Sequence, residues 1–140
     1  VRRINHFLKV YGFAKAIGEM EGLDESTQEI IEIAALTHDI GIKNSEKKYN
    51  CSAGNYQQIE GPPEAKKLLE GLGIESGVID RVCWLIAHHH IYTDIQGIDY
   101  QILVEADFLV NFYEDNMSND SVHKIFKTLS GKAILNAIYA

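Results

Sequence analysis

The strongest constraint on the fold is a helical apolar period that runs through most of the chain. Ile4, Phe7, Leu8, Tyr11, Ala14 and Ile17 recur at three- and four-residue steps and form one stripe. Gly22 should end this first helix, and Asp24 or Ser26 can cap the next, with Glu29 three residues after Ser26. In that second helix Ile30, Ile31, Ile33, Ala34, Ala35 and Leu36 make an almost unbroken apolar surface, which predicts the buried centre of the domain. Pro62-Pro63 is expected to open a third helix, over 62–73, because proline is tolerated in a first turn. Further helices are expected over 76–90, 99–113 and 121–139. Residues 43–61, polar and without a period, read as a long surface loop with at most one helical turn. No strand alternation and no internal repeat occurs. The expectation is therefore an all-α fold, a single compact helical domain of six main helices spanning 1–140.

Composition narrows the function. With 13 Lys+Arg against 20 Asp+Glu, the formal net charge of -7 argues against broad binding to a nucleic-acid polymer or an anionic membrane. No apolar run reaches the length of a membrane span, and no start resembles a signal peptide. Cys51 and Cys83 lie far apart in no metal-type spacing, so free thiols and a cytoplasmic location are expected. The chain opens on Val1, which suggests that a short N-terminal piece is missing. Nothing in the pattern argues for or against a homodimer.

The chemistry lies in where histidines and acids fall. His38-Asp39 emerges from the end of the apolar second helix. Asp107 follows Leu103 by four residues and precedes Val110 by three, so it stands on or beside a buried stripe. A carboxylate there needs a cation or several donors. His6 sits within the first helical pattern, and His88, His89 and His90 close the fourth. Imidazole nitrogen and carboxylate oxygen are suitable ligands for a borderline or hard divalent ion. Milder explanations exist for single residues: a helix-terminal His is favoured by the helix dipole, and Asp39 could simply start a turn.

Taken together, His6, then Leu36-Thr37-His38-Asp39-Ile40-Gly41, then Ala106-Asp107-Phe108-Leu109 resemble the HD domain superfamily of metal-dependent phosphohydrolases, over about residues 4–113. The resemblance implies an α-helical fold in which His6, His38, Asp39 and Asp107 hold one divalent metal: Mn, Co, Ni, Fe, Zn or Mg. Some members hold further ions through a His opening the third helix and His residues ending the fourth. Here Glu60-Gly61-Pro62-Pro63-Glu64 stands at the first place without a His. Glu60 is then a candidate ligand of a second metal, and Glu64 a general base or an ordinary acid near a helix start. At the second place His89 and His90 face inward more than His88, which continues the Arg81–Trp84 side, so His89 and then His90 are candidate ligands or catalytic groups. His123 lies beyond the motif.

The implied activity is hydrolysis of a small phosphorylated substrate, with a nucleotide foremost, by metal-activated water. Asp39 is the candidate proton acceptor. Lys43 is the candidate phosphate contact, ahead of Lys47 and Lys48, and Tyr49, Tyr56 and Tyr92 are candidates to stack on a ring. Two alternatives use the same residues: a di-iron oxygenase, and a non-catalytic metal-stabilised ligand-sensing module.

Overall fold

Local signals place most helix ends. Gly22 adopts the left-handed conformation, φ 72°, and ends the first helix. Asp24 caps the second by accepting from the Thr27 amide at 2.7 Å. The computed structural model describes residues 1–139. Its regular elements there are all helices: α1 (Arg2–Glu21), α2 (Glu25–Thr37), α3 (Ile42–Tyr49), α4 (Gly54–Gly71), α5 (Ser76–His88), α6 (Ile98–Glu114), α7 (Asn119–Ile125) and α8 (Leu129–Tyr139).

Four expectations change. The centre is α6, not α2: every residue from Asp99 to Val110 is buried, whereas Leu36 in α2 is 42% exposed. Helix α6 is enclosed by α1, α2, α7 and α8, while α2 keeps one face in solvent. The 43–61 stretch is largely helical. Helix α3 carries no apolar stripe because polar contacts hold it: Lys48 and Tyr49 both reach Glu60 of α4, and Ser45 is buried.

Pro62 and Pro63 lie inside α4 rather than at its start. They remove the amides that would bond the Gln58 and Ile59 carbonyls. Ile59 and Pro63 are exposed there, so water can reach that side of the helix. At this level α4 crosses the turn after α2. A Cβ on Gly41 would come within 2.6 Å of the Gly61 nitrogen, and one on Gly61 within 2.6 Å of Ile86. Two glycines therefore let backbone approach backbone directly behind His38-Asp39.

The expected last helix is broken at Phe126, which is extended (ψ 125°) and buried. The break serves a carboxylate. Glu105 of α6 accepts from the Lys127 and Thr128 amides (3.0 and 3.1 Å), from the Thr128 hydroxyl (2.6 Å) and from the Gln101 side chain (2.6 Å). The Thr128 hydroxyl in turn accepts from the Gly131 amide at 2.9 Å and starts α8.

Candidate metal centre

Two helix ends are built the same way. His38 continues the helical conformation one residue past α2, and its Nδ1 donates to the Ala35 carbonyl at 2.8 Å. His89 does the same past α5, with Nδ1 donating to the Ile86 carbonyl at 2.8 Å. Each ring satisfies a carbonyl that the helix end leaves free, and each thereby turns Nε2 inward. The two rings meet edge to face, with centroids 5.2 Å apart.

His6 of α1 follows the same logic with a different anchor. Its Nδ1 donates to Glu114 at 3.2 Å, and Glu114 also accepts from Lys9 at 3.4 Å. The His6 Nε2 is left facing Asp107 at 3.2 Å and Asp39 at 3.6 Å. Three imidazoles thus point Nε2 at two carboxylates. His38 Nε2 lies 3.3 Å from an oxygen of Asp39 and 3.3 Å from one of Asp107. His89 Nε2 lies 3.2 Å from the other Asp39 oxygen.

The buried His38 Nε2 decides what this cluster suits. It is fully buried and has no properly directed hydrogen-bond partner, although two carboxylates flank it. A buried polar atom left in this state needs a reason. Ligand atoms around one ion with bonds of about 2.1 Å stand roughly 3.0–3.4 Å apart, close to the spacings here. Two overlapping groups, His6–His38–Asp107 and His38–Asp39–His89, each keep their donor atoms within 4.8 Å of one another. The nitrogen and oxygen donors suit a divalent ion, and the second-sphere anchors on the three Nδ1 atoms fix the ring orientations.

Without an ion, the charges compensate one another. Burial lowers the pKa of His38, but the Asp39 and Asp107 carboxylates outweigh it and hold the imidazole well above its ordinary value. His6 is raised too, with burial opposed mainly by Asp107. Burial would raise both acids, yet His38 and its neighbours hold Asp39 and Asp107 well below the usual carboxylate range. His90 is pushed down to about 4 by burial and by neighbouring His89, so it is neutral at pH 7.

Comparison with known proteins agrees with this geometry. Residues 3–128 match the family model of the HD domain. The chain belongs to the HD domain family. A predicted HD superfamily hydrolase from an uncultured Thermotogales bacterium, solved by crystallography, shares the fold with a TM-score of 0.69 at 22% identity, covering 97% of this chain and 72% of that one. No curated protein matches the sequence.

Around the HD residues the other candidates disperse. His90 stands 4.0 Å from Asp39, and its Nε2 meets the Gln57 side-chain oxygen at 3.3 Å, so it borders the cluster rather than entering the donor groups. His88 faces away and stacks on Trp84 at 3.9 Å, with Arg81 over the same indole at 4.4 Å. Glu60 is engaged by Lys48 and Tyr49 and stands in neither donor group. Glu64 and Lys43 line a separate cavity of about 500 Å³ between α3 and α4, with Lys67 and Leu68, whose walls include none of the cluster. Tyr49 and Tyr56 stack on each other at 4.3 Å, while Tyr92 packs edge-on against Phe108 at 4.9 Å. Its phenol is pushed up to about 12 by burial and by the nearby carboxylates. His123 is exposed on α7.

Several residues that matter escaped the sequence reading. Glu114 lies seven residues after Asp107, two turns along the same face of α6, and that spacing was a usable signal. Gln57 had none, because it sat in the stretch read as loop. A second cavity of about 480 Å³ opens directly onto the cluster, with His6 and Asp39 in its wall beside Phe7 and Ile42.

Proposed function

We propose that the chain is a divalent-metal-dependent hydrolase of phosphate esters acting on small phosphorylated substrates, with nucleotides foremost. The observation that carries this reading is the orphaned Nε2 of His38 between two ionised carboxylates, in a cluster that opens onto a cavity. His6, His38, Asp39 and Asp107 would hold the ion. A divalent ion in such a set supplies a Lewis acid and a bound water of lowered pKa. Asp39 turns one oxygen toward His38 and the other, Oδ1, toward His89 Nε2, a contact that supports a proton-accepting role for the Asp39–His89 pair. The His6–Glu114 and His38–Ala35 contacts keep the two rings from rotating. The cavity, about 480 Å³, has room for a mononucleotide-sized ligand. Free Cys51 and Cys83 fit a reducing cytoplasmic setting, and no helix among the described residues is long and apolar enough to cross a membrane.

The test is elemental analysis of purified protein, followed by hydrolysis of p-nitrophenyl phosphate and nucleoside monophosphates, with Asp107→Ala as control. The expected result is bound metal and chelator-sensitive turnover, both lost in the variant. Bound metal without turnover on any phosphate ester would favour the sensing module. A second reading follows from the second donor group, His38–Asp39–His89, which shares His38 with the first. Two irons held there would suit an oxygenase, and visible absorption with oxygen consumption by iron-loaded protein would identify it.

A further inference from the structure

The cavity beside the cluster is lined by charges that do not suit an anion equally. Asp39, Glu114 and Asp115 in its wall would repel a phosphate. Glu114 is already committed to His6 and Lys9. The permanent cations in the wall are Arg2 and Arg3. They precede His6 by four and three residues, so α1 presents them one turn from the cluster on the side that carries His6. Arg3 spends one guanidinium nitrogen on Glu46 of α3, an exposed ion pair that water and salt weaken. A guanidinium has five donors, so others remain for a ligand. Ser52 adds a hydroxyl to the same wall. Lys43 and Lys67, by contrast, face the other cavity.

We propose that Arg2 and Arg3 are the anion anchor of the site: they bind the phosphoryl group of the substrate at the mouth of the cavity and offset the carboxylates that line it. This rests on the hydrolase reading for the identity of the ligand, but not for the binding itself. The planar fork of each arginine matches two oxygens of a phosphate, which a lysine cannot do. The terminal phosphate of a monoester, with its oxygens free, fits this anchor better than the shielded phosphate of a diester.

The test is calorimetric titration of inorganic phosphate at low ionic strength into manganese-loaded and into metal-free protein. The variants are Arg2→Gln, Arg3→Gln, the double variant and Lys43→Gln. The double variant should weaken phosphate binding by at least about tenfold, the loss expected for charge-assisted hydrogen bonds, with metal content unchanged. Lys43→Gln should stay within about twofold of wild type, as for a charge outside the site. With p-nitrophenyl phosphate the double variant should raise KM more than it lowers kcat. Three outcomes overturn the anchor: no phosphate binding by wild type, an unchanged affinity in the double variant, or an equal loss in Lys43→Gln. Arginine-dependent phosphate binding without turnover would leave the anchor standing and sink the hydrolase reading. Turnover with an unchanged KM in the double variant would do the reverse.

Discussion

Helix α6 buries two carboxylates two residues apart, and their surroundings are opposite. Glu105 is met by four hydrogen bonds from Gln101, Lys127 and Thr128, and Gly131 leaves its oxygens just enough room. Asp107 is met by the Nε2 atoms of His6 and His38, one of them without a directed partner. Both acids solve the cost of burial. Glu105 solves it with neutral donors of the chain itself, which ends one helix and starts another. Asp107 is balanced by rings that are also metal-type donors. Burial and charge alone did not distinguish these acids; the completeness of their hydrogen bonding does.

The comparison can be broken from either side. Glu105→Ala should cost about 3–5 kcal/mol, because three donors near Thr128 lose their acceptor in the interior. Gly131→Ala should be nearly as damaging, since its Cβ would fall 1.9 Å from Glu105 Oε1. Urea melts read both, and metal content per folded chain should stay at the wild-type value. If Glu105→Ala emptied the metal site in folded protein, the two carboxylates would not be independent.

Asp107→Asn should show the reverse pattern. Wild-type protein at a metal concentration of 100 times Kd should gain about 2.7 kcal/mol over its metal-free form, and the variant should gain none. Its metal-free stability should differ much less from wild type than that of Glu105→Ala. A full metal-dependent gain in Asp107→Asn would remove that residue from the ligand set. Glu114→Gln is the milder version. It keeps the shape but weakens the anchor on His6 Nδ1, and should lower metal affinity by about 10–100-fold in a competition titration.

The smallest effect is in pH. In metal-free protein the raised His38 and His6 stabilise below the ordinary histidine value of about 6.5, and that contribution fades as pH rises through their folded values. The depressed Asp39 and Asp107 stabilise above about 4, and that contribution is lost as pH falls through their folded values. The cluster therefore contributes most between roughly pH 4 and 6.5, and the metal-free urea midpoint should decline from pH 6 toward pH 9. Glu105→Gln should leave that slope in place, and Asp107→Asn should flatten it. Metal uptake near neutral pH should also release protons, detectable by calorimetry in buffers of different ionisation heat.

Much of this was legible in the sequence, for reasons visible in single residues. The apolar stripe of α5 set its buried face, and Gly22 and Asp24 marked a boundary by their own backbone chemistry. The stripe of α1 holds only in part, since Ala14 and Ile17 are buried but Ile4 and Leu8 are exposed and Val10 packs inward instead. His89 was separable from His88 because adjacent helical residues point about 100° apart. What stayed hidden depends on partners distant in the chain. Helix α3 is held by polar contacts to Glu60, which no period reveals. Pro62-Pro63 resembled a start, since nothing local shows that the helix already runs from Gly54. The break at Phe126 is dictated by Glu105, some twenty residues earlier in the sequence. Lys43 drew attention by proximity to His38-Asp39, yet α3 carries it to the other cavity, and Arg2 and Arg3 take the place beside the cluster.

The stack of Arg81, Trp84 and His88 has an optical consequence. Trp84 is the chain's single tryptophan, and its indole lies flat against an imidazole whose next neighbour in sequence is His89. Indole emission depends on what lies against the ring, so the fluorescence of the unlabelled protein carries a readout of the C-terminal end of α5. A ligand that shifted His89 would act on the same turn, and a change in Trp84 emission is the expected readout. A stopped-flow trace of Trp84 emission on metal addition tests this, with the donors of the cluster left untouched.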